Sequence, residues 1–284
     1  MYFEFLLNNL WLAISLSTIF ALLIGSFLNV VIHRIPVMMQ REWQAQLDDT
    51  DASQQTPYNL IVPGSSCPHC QHSIRWYENI PLFSYLMQKG RCNGCKTSIS
   101  IRYPIVELIS ALLVGFIVYT YGLNEISITL TLLTWALICL TAIDIDHQLL
   151  PDRITLPLLW LGLLANSYGL FTTLHLAVFG AVAGYLSLWS IFWLFKLVTG
   201  KEGMGYGDFK LLAALGAWAG IDQLPLIILL SSVVGAAIGI AMILFQRHDQ
   251  QKPIPFGPYL AIAGWIAMIW GQDITQAYFR YIGL

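Results

Sequence analysis

The chain has 284 residues, of which 57% are hydrophobic and 11% are charged, and its formal net charge is −2. Soluble globular proteins carry about 25% charged residues. This composition therefore excludes an ordinary soluble protein and indicates an integral membrane protein. The slightly negative charge also argues against a nucleic acid as partner.

Eight apolar segments are candidates for transmembrane helices, which need about 20 residues each. The first lacks the basic flank of a cleavable signal peptide, so we expect it to be retained. The sixth is short and the weakest of the eight. The segments cover residues 8–32, 104–120, 127–146, 154–171, 175–197, 208–221, 224–246 and 257–277. The predicted fold class is an all-α polytopic membrane protein.

One long polar segment, 34–103, separates the first helix (1–33) from the predicted seven-helix bundle (104–284). It opens with an acidic stretch from Glu42 to Asp51 that we expect to be a loop. If the segment is cytoplasmic and the eight helices alternate, 13 of the 14 Lys and Arg residues lie on the cytoplasmic side. This positive-inside bias predicts a cytoplasmic loop and two outward-facing termini.

Four of the five cysteines lie in this segment as two pairs with 21 residues between them. The pairs are Cys67/Cys70 and Cys92/Cys95. Two CxxC knuckles are typical of a structural zinc site with four thiolate ligands. Disulfides compete with this interpretation, although they rarely persist in the cytoplasm, and His69 or His72 could replace a cysteine as ligand. Cys139, in an apolar run, is predicted to be a small buried hydrophobe.

Three aspartates follow one another around the end of the third apolar segment. Asp144 and Asp146 are two residues apart on a helix and therefore point about 200° apart. Since an ionisable group within a membrane helix is costly and commonly functional, the deeper Asp144 is the better candidate, and Asp146 is expected to be solvated. Asp152 follows Pro151 and precedes an apolar run, so we expect it to cap a helix.

The expected partner of Asp144 is Asp208, which follows Gly205-Tyr-Gly207. These glycines favour a helix that begins at Asp208, where free N–H groups stabilise a carboxylate. Two adjacent carboxylates cannot both ionise easily, so one keeps a proton while the other can activate water. From the residues alone, unrelated helix-end carboxylates, a transporter's proton relay or a membrane-anchored zinc scaffold also stay possible.

The sequence resembles the bacterial type IV prepilin peptidases, a group within the GxGD intramembrane aspartyl proteases. The resemblance covers nearly the whole chain. It is carried by GYGD at 205–208, the double CxxC loop, GSFLNVVIHRIP at 25–36, the residues ID at 143–144 with LPD at 150–152, and PFGPY at 255–259. It implies that Asp144 and Asp208 are catalytic. It also implies one structural zinc ion bound by the paired cysteines Cys67, Cys70, Cys92 and Cys95.

The resemblance further implies an activity and a location. Family members with this loop remove the basic leader of prepilins or of type II secretion pseudopilins, then methylate the new N-terminus with S-adenosylmethionine. We therefore expect a multi-pass protein of the bacterial inner membrane, in contact with lipid, whose zinc loop and active site face the cytoplasm. The sequence contains no glycine-rich nucleotide-binding fingerprint, so the methyl-donor site is not predicted.

Overall fold

A computed structural model describes residues 9–47, 57–201, 203–246 and 255–283. Eight long helices occupy the positions of the eight apolar segments, and one short helix, α2, lies in the polar segment. They are α1 (Leu10–Leu47), α2 (Phe83–Met87), α3 (Arg102–Tyr121), α4 (Glu125–His147), α5 (Asp152–Ser167), α6 (Leu174–Thr199), α7 (Tyr206–Ala219), α8 (Leu224–Gln246) and α9 (Gly257–Ile282). Within the described residues, β structure is limited to two isolated bridges.

Among the residues that the structure describes, five helical segments are long and apolar enough to cross a membrane: α1, α3, α4, α6 and Ile221–Ala241, which includes most of α8. The all-α, multi-pass fold class is thereby confirmed, whereas the predicted count of eight spans is not. Helix α7 has 14 residues and measures about 21 Å, less than the roughly 30 Å of a bilayer's hydrocarbon core. Helix α5 has 16 residues and measures about 24 Å, which is also shorter than the hydrocarbon core.

Helix α1 is longer than expected. We predicted that the first helix ends near residue 33 and that Glu42 lies in a loop, but the helix continues through Pro36 to Leu47 and includes Glu42. The residues after Pro36 are mostly Met, Gln, Arg, Glu, Ala and Leu, all favourable in helices, and they outweigh the cost of the internal proline. Residues 48–51 of the acidic stretch lie outside the described residues.

The chain divides into two compact units, residues 1–139 and 140–284. In the first unit, α1 packs along α3. A Cβ atom on Gly25 would lie 2.8 Å from the Cα atom of Glu107, so the absence of a side chain lets the two backbones approach. Ser110 then donates a 2.8 Å hydrogen bond to the Ala21 carbonyl. Small residues serve this purpose where the hydrophobic effect cannot drive helix association.

In the second unit, α5, α6 and α9 pack against α7. Every residue of α7 from Phe209 to Trp218 except Lys210 is buried, so this helix is surrounded by protein. A Cβ atom on Gly180 or Gly216 would collide with the other glycine's backbone, so the lack of side chains here lets α6 and α7 approach closely. Buried Trp218 donates a 2.8 Å hydrogen bond to the Leu158 carbonyl. Helix α7 is therefore the central helix of this unit, and Asp208 lies in its first turn.

Candidate active site and metal-binding loop

Asp144 lies in the last turn of α4 and is 5% exposed. Its Oδ2 atom accepts a 3.0 Å hydrogen bond from the backbone N–H of Gly257, the first residue of α9. The carboxylate therefore lies at a helix N-terminus, where the helix dipole and free N–H groups favour negative charge. Asp146 is exposed on the same helix, as the angle between the two side chains predicts.

Asp208 lies in the first turn of α7 and is 7% exposed. The helix begins at Tyr206, with Gly205 as N-cap, which is two residues earlier than expected. Gly207, the residue before Asp208, lies against Leu150, and so does Gly257, whose N–H binds Asp144. The structure thus brings both predicted aspartates into one buried region, each beside the N-terminus of a helix.

Leu150 packs against two glycines of the site. One is Gly207, the residue before Asp208, and the other is Gly257, whose N–H binds Asp144. A Cβ atom on Gly207 would lie 2.7 Å from the Leu150 Cβ atom, and one on Gly257 would lie 3.0 Å from Leu150 Cδ2. Neither position has room for a side chain without displacing Leu150. These residues belong to motifs quoted above, but nothing in their spacing along the sequence indicates that they share a neighbour.

Asp152 is not the helix cap that we predicted. The N-cap of α5 is Pro151, and no side chain caps this helix. Both carboxylate oxygens of Asp152 instead accept 2.7 Å hydrogen bonds from the Lys210 ammonium group. Because Asp152 is already the first residue of the helix, its side chain is free to reach α7, and the ion pair connects the starts of α5 and α7.

The four paired cysteines converge in the polar segment. Their Sγ atoms all lie within 4.8 Å of one another; the Cys67–Cys95 distance is 3.8 Å and the Cys70–Cys92 distance is 3.9 Å. None forms a disulfide. Among the described residues, the cluster contains neither His69 nor His72. The four thiols could therefore hold a metal ion.

Each cysteine knuckle has the same backbone pattern. Cys67 donates its N–H to the His72 carbonyl, and Cys92 donates its N–H to the Thr97 carbonyl, at 3.0 and 2.9 Å. An isolated antiparallel bridge flanks each knuckle, Ser66 with Ser73 and Arg91 with Ser98. Gly94 lies in a tight turn, where a Cβ atom would be 3.1 Å from the Cys70 sulfur. The two halves of the site are therefore local repeats of one turn.

Glu78 connects the two knuckles. Its carboxylate accepts hydrogen bonds from the Arg75 backbone N–H at 2.8 Å and from the Asn93 side chain at 2.7 Å, and it lies 3.2 Å from His72 Nε2. These contacts, led by the one from Arg75, lower the pKa of Glu78 to about 2. The His72 ring therefore contacts the Glu78 carboxylate and not the cysteine cluster. Glu78 was not predicted from the sequence, because a single glutamate in a polar loop forms no recognisable pattern.

Two buried charged residues attach the loop to the helices of the first unit. Arg34 of α1 donates hydrogen bonds to the carbonyls of Asn59 and Pro63, while Glu107 of α3 accepts a 2.8 Å bond from the Leu82 N–H. From the sequence, Arg34 was counted only as one of the 14 positive charges, and no contact was predicted for it. Its burial shows a structural role in fixing the start of the loop.

Fold and site together define an all-helical, multi-pass membrane protein with a buried pair of carboxylates and a separate four-cysteine cluster. Two family models match the chain. Residues 19–121 match the bacterial peptidase A24 N-terminal domain, and residues 131–240 match the type IV leader peptidase family.

Curated relatives match along almost their full length, and several are named prepilin leader peptidase/N-methyltransferase. The protein from Stutzerimonas stutzeri is 56% identical over 99% of both chains. Those from Aeromonas hydrophila and Pseudomonas aeruginosa are 59% and 57% identical, over 94% and 96% of both chains respectively. No solved structure matches significantly. The chain belongs to the type IV leader peptidase family.

Proposed function

We propose that this protein cleaves the leader peptide from prepilins and methylates the new N-terminus. The names of relatives that cover nearly the whole chain support both activities. The observation that supports the proteolytic activity is that Asp144 and Asp208 are both buried and that the glycine beside each of them lies against the same residue, Leu150. The alternative, a proton-coupled transporter, has no support among these relatives.

In the proposed reaction, the two aspartates share one proton. The ionised carboxylate takes a proton from water as the water oxygen attacks the scissile carbonyl carbon, and the protonated partner gives its proton to the carbonyl oxygen. The resulting diol then returns a proton to that partner, while the first aspartate protonates the amide nitrogen as the C–N bond breaks. Acid and amine products leave, and the pair regains its starting state.

The substrate class agrees with where the aspartates lie along their helices. Asp144 is near the C-terminal end of α4, a helix apolar enough to span the membrane, and not near its middle. A prepilin has a basic leader followed by an apolar helix, so its scissile bond lies at a membrane edge. We place that edge on the cytoplasmic side, because the Lys and Arg residues of the chain are concentrated there in the predicted topology.

The metal that best fits the four cysteines is zinc. Zn–S bonds of about 2.3 Å in tetrahedral geometry place sulfur atoms roughly 3.8 Å apart, close to the 3.8 and 3.9 Å measured between opposite knuckles. Four thiolate ligands leave no open position, so the ion would stabilise the loop fold. The methyl donor of the second activity would be S-adenosylmethionine, to which we assign no residues.

The direct test is to incubate the detergent-solubilised protein with an intact prepilin, with and without S-adenosylmethionine. We expect a mass loss equal to the leader in both reactions, and a further gain of one methyl group when the donor is present. An unchanged prepilin mass under conditions in which a 57% identical relative cleaves it would contradict the proposal.

The proposed orientation has its own test. A single thiol introduced at Leu47, an exposed residue at the end of α1, should react with a membrane-impermeant reagent only after the membrane is opened. The background for this variant must lack the native cysteines. Labelling of intact cells from the outside would overturn the cytoplasmic placement of the loop.

A further inference from the structure

We infer that Gly257 is a positioning residue of the active site: its backbone N–H holds the Asp144 carboxylate in place, and its missing side chain leaves the space which that carboxylate occupies. The inference rests on the proposed function, since it concerns one of the two aspartates assigned there. Gly257 lies 113 residues further along the chain than Asp144. It contributes no reactive side chain of its own.

The first observation is the hydrogen bond. The Gly257 N–H donates to Asp144 Oδ2 at 3.0 Å, and the contact is buried. Gly257 is the first residue of α9, so its N–H is one of the few helix N–H groups that have no partner within the helix. A carboxylate is the side chain that best satisfies such a group. The donor is therefore fixed by the backbone of a long helix.

The second observation is the lack of space. A Cβ atom on Gly257 would lie 2.7 Å from Asp144 Oδ2 and 3.0 Å from Leu150 Cδ2. The backbone here does not have a positive φ angle, so glycine is not required by conformation. It is required because any side chain would push the carboxylate off the N–H. The hydrogen bond and the space left by the missing side chain therefore both fix the position of Asp144 Oδ2.

The two restraints have a chemical consequence. One oxygen of Asp144 is held by α9, which leaves the other oxygen available for the proton exchange proposed with water. A hydrogen bond to a charged acceptor contributes more than a neutral one, and a misplacement of a catalytic group by about 1 Å can lower the rate about a hundredfold. Loss of the Gly257 contact should therefore lower kcat and leave KM nearly unchanged.

The sharpest test removes one N–H and nothing else. Cell-free synthesis into nanodiscs can place glycolic acid at position 257, which replaces the peptide N–H with an ester oxygen. We expect kcat for prepilin cleavage to fall by about ten- to a hundredfold, with KM changed less than about threefold. The matched control carries the same ester at Gly264, seven residues further along α9, and should keep kcat within about threefold per folded molecule.

Side-chain variants give a second test of the same claim. Gly257→Ala keeps the N–H but displaces the carboxylate, so it should also lose kcat with little change in KM. Gly264→Ala, in which the new methyl group would meet the Leu215 side chain even more closely, serves as the packing control. The double variant Gly257→Ala, Leu150→Ala relieves the contact with Leu150 and keeps the one with Asp144, so it should stay impaired.

Three results would overturn the inference. They are full kcat for the ester at position 257, equal losses of kcat at positions 257 and 264, and recovery of activity when Leu150 is shortened. The last two would show that Gly257 serves only helix packing. A failure of the proposed function looks different, because the unaltered protein would then leave prepilin intact. A failure of the catalytic assignment alone would show as an Asp144→Asn protein that still cleaves prepilin. An inactive Asp144→Asn protein beside a fully active ester variant rejects this inference alone.

Discussion

The cysteine cluster and the aspartate pair are assembled from the chain in opposite ways. All four cysteines belong to one loop, and each pair is shaped by its own short turn. The aspartates belong to α4 and α7, and the Asp144 contact adds a residue of α9 that is 113 positions away. A local metal site depends on the loop that surrounds it, whereas the carboxylate site depends on the packing of several helices.

The largest effect is expected at the aspartates. Asp144→Asn and Asp208→Asn should each lower kcat for prepilin cleavage by more than about a thousandfold, because an amide cannot exchange a proton with water or partner, and paired groups act as one unit. The protein should still insert and accumulate. Initial rates with purified variants provide the measurement.

Asp146→Asn is the matched control for that experiment. Asp146 lies on the same helix but is exposed, so this variant should keep most of the activity. If Asp146→Asn were inactive and Asp144→Asn active, the assignment of the catalytic residue on α4 would be wrong.

The second effect concerns the cysteine loop. Cys92→Ser should lose the bound metal and loosen the loop, because metal binding supplies much of the folding free energy of such small sites. Metal content by mass spectrometry is the readout, with Cys139→Ala as control, since that buried cysteine lies in α4 and not in the cluster. We expect methylation to suffer at least as much as cleavage. Full metal content in Cys92→Ser would refute the four-thiolate site.

A smaller effect is expected at Glu78, which hydrogen-bonds to residues of both knuckles. Glu78→Gln replaces the charged acceptor of the bonds from Arg75 and Asn93, and groups that orient metal ligands typically contribute about tenfold or more to metal affinity. The variant should release its metal to a chelator about ten times faster. An unchanged release rate would mean that the two knuckles are held together without Glu78.

The smallest effect is expected for the ion pair of Asp152 and Lys210. Asp152 is about half exposed, with 53% of its side chain accessible, so the pair should contribute no more than about 1 kcal/mol. Asp152→Asn should therefore keep cleavage within about fivefold of the original rate. A loss as large as that of Asp208→Asn would make Asp152 a third essential carboxylate.

The difference between the two regions also explains what the sequence could predict. The spacing of Cys67, Cys70, Cys92 and Cys95 predicted their convergence, because each CxxC pair needs only its own turn. The positions of the eight long helices followed from apolar runs, and the burial of Asp144 beside an exposed Asp146 followed from helix geometry. These are local properties of the chain.

Features that depend on distant contacts were missed or misplaced. The Gly257 hydrogen bond requires knowledge of where α9 begins relative to α4. The role predicted for Asp152 was wrong because Lys210, on another helix, offers it a stronger partner than the nearest backbone N–H groups. The end of α1 was placed too early because its acidic residues suggested a loop, although most of the residues around them favour a helix.

The most direct test of the central claim measures both activities on one protein. Asp208→Asn, purified with its full metal content, should leave an intact prepilin uncleaved while it still methylates a pilin whose leader has already been removed, provided that the methyl-transfer site is separate. Product masses from the two substrates report both reactions. Cleavage of the intact prepilin at a rate near that of the original protein would contradict the assignment of Asp144 and Asp208 as the catalytic pair.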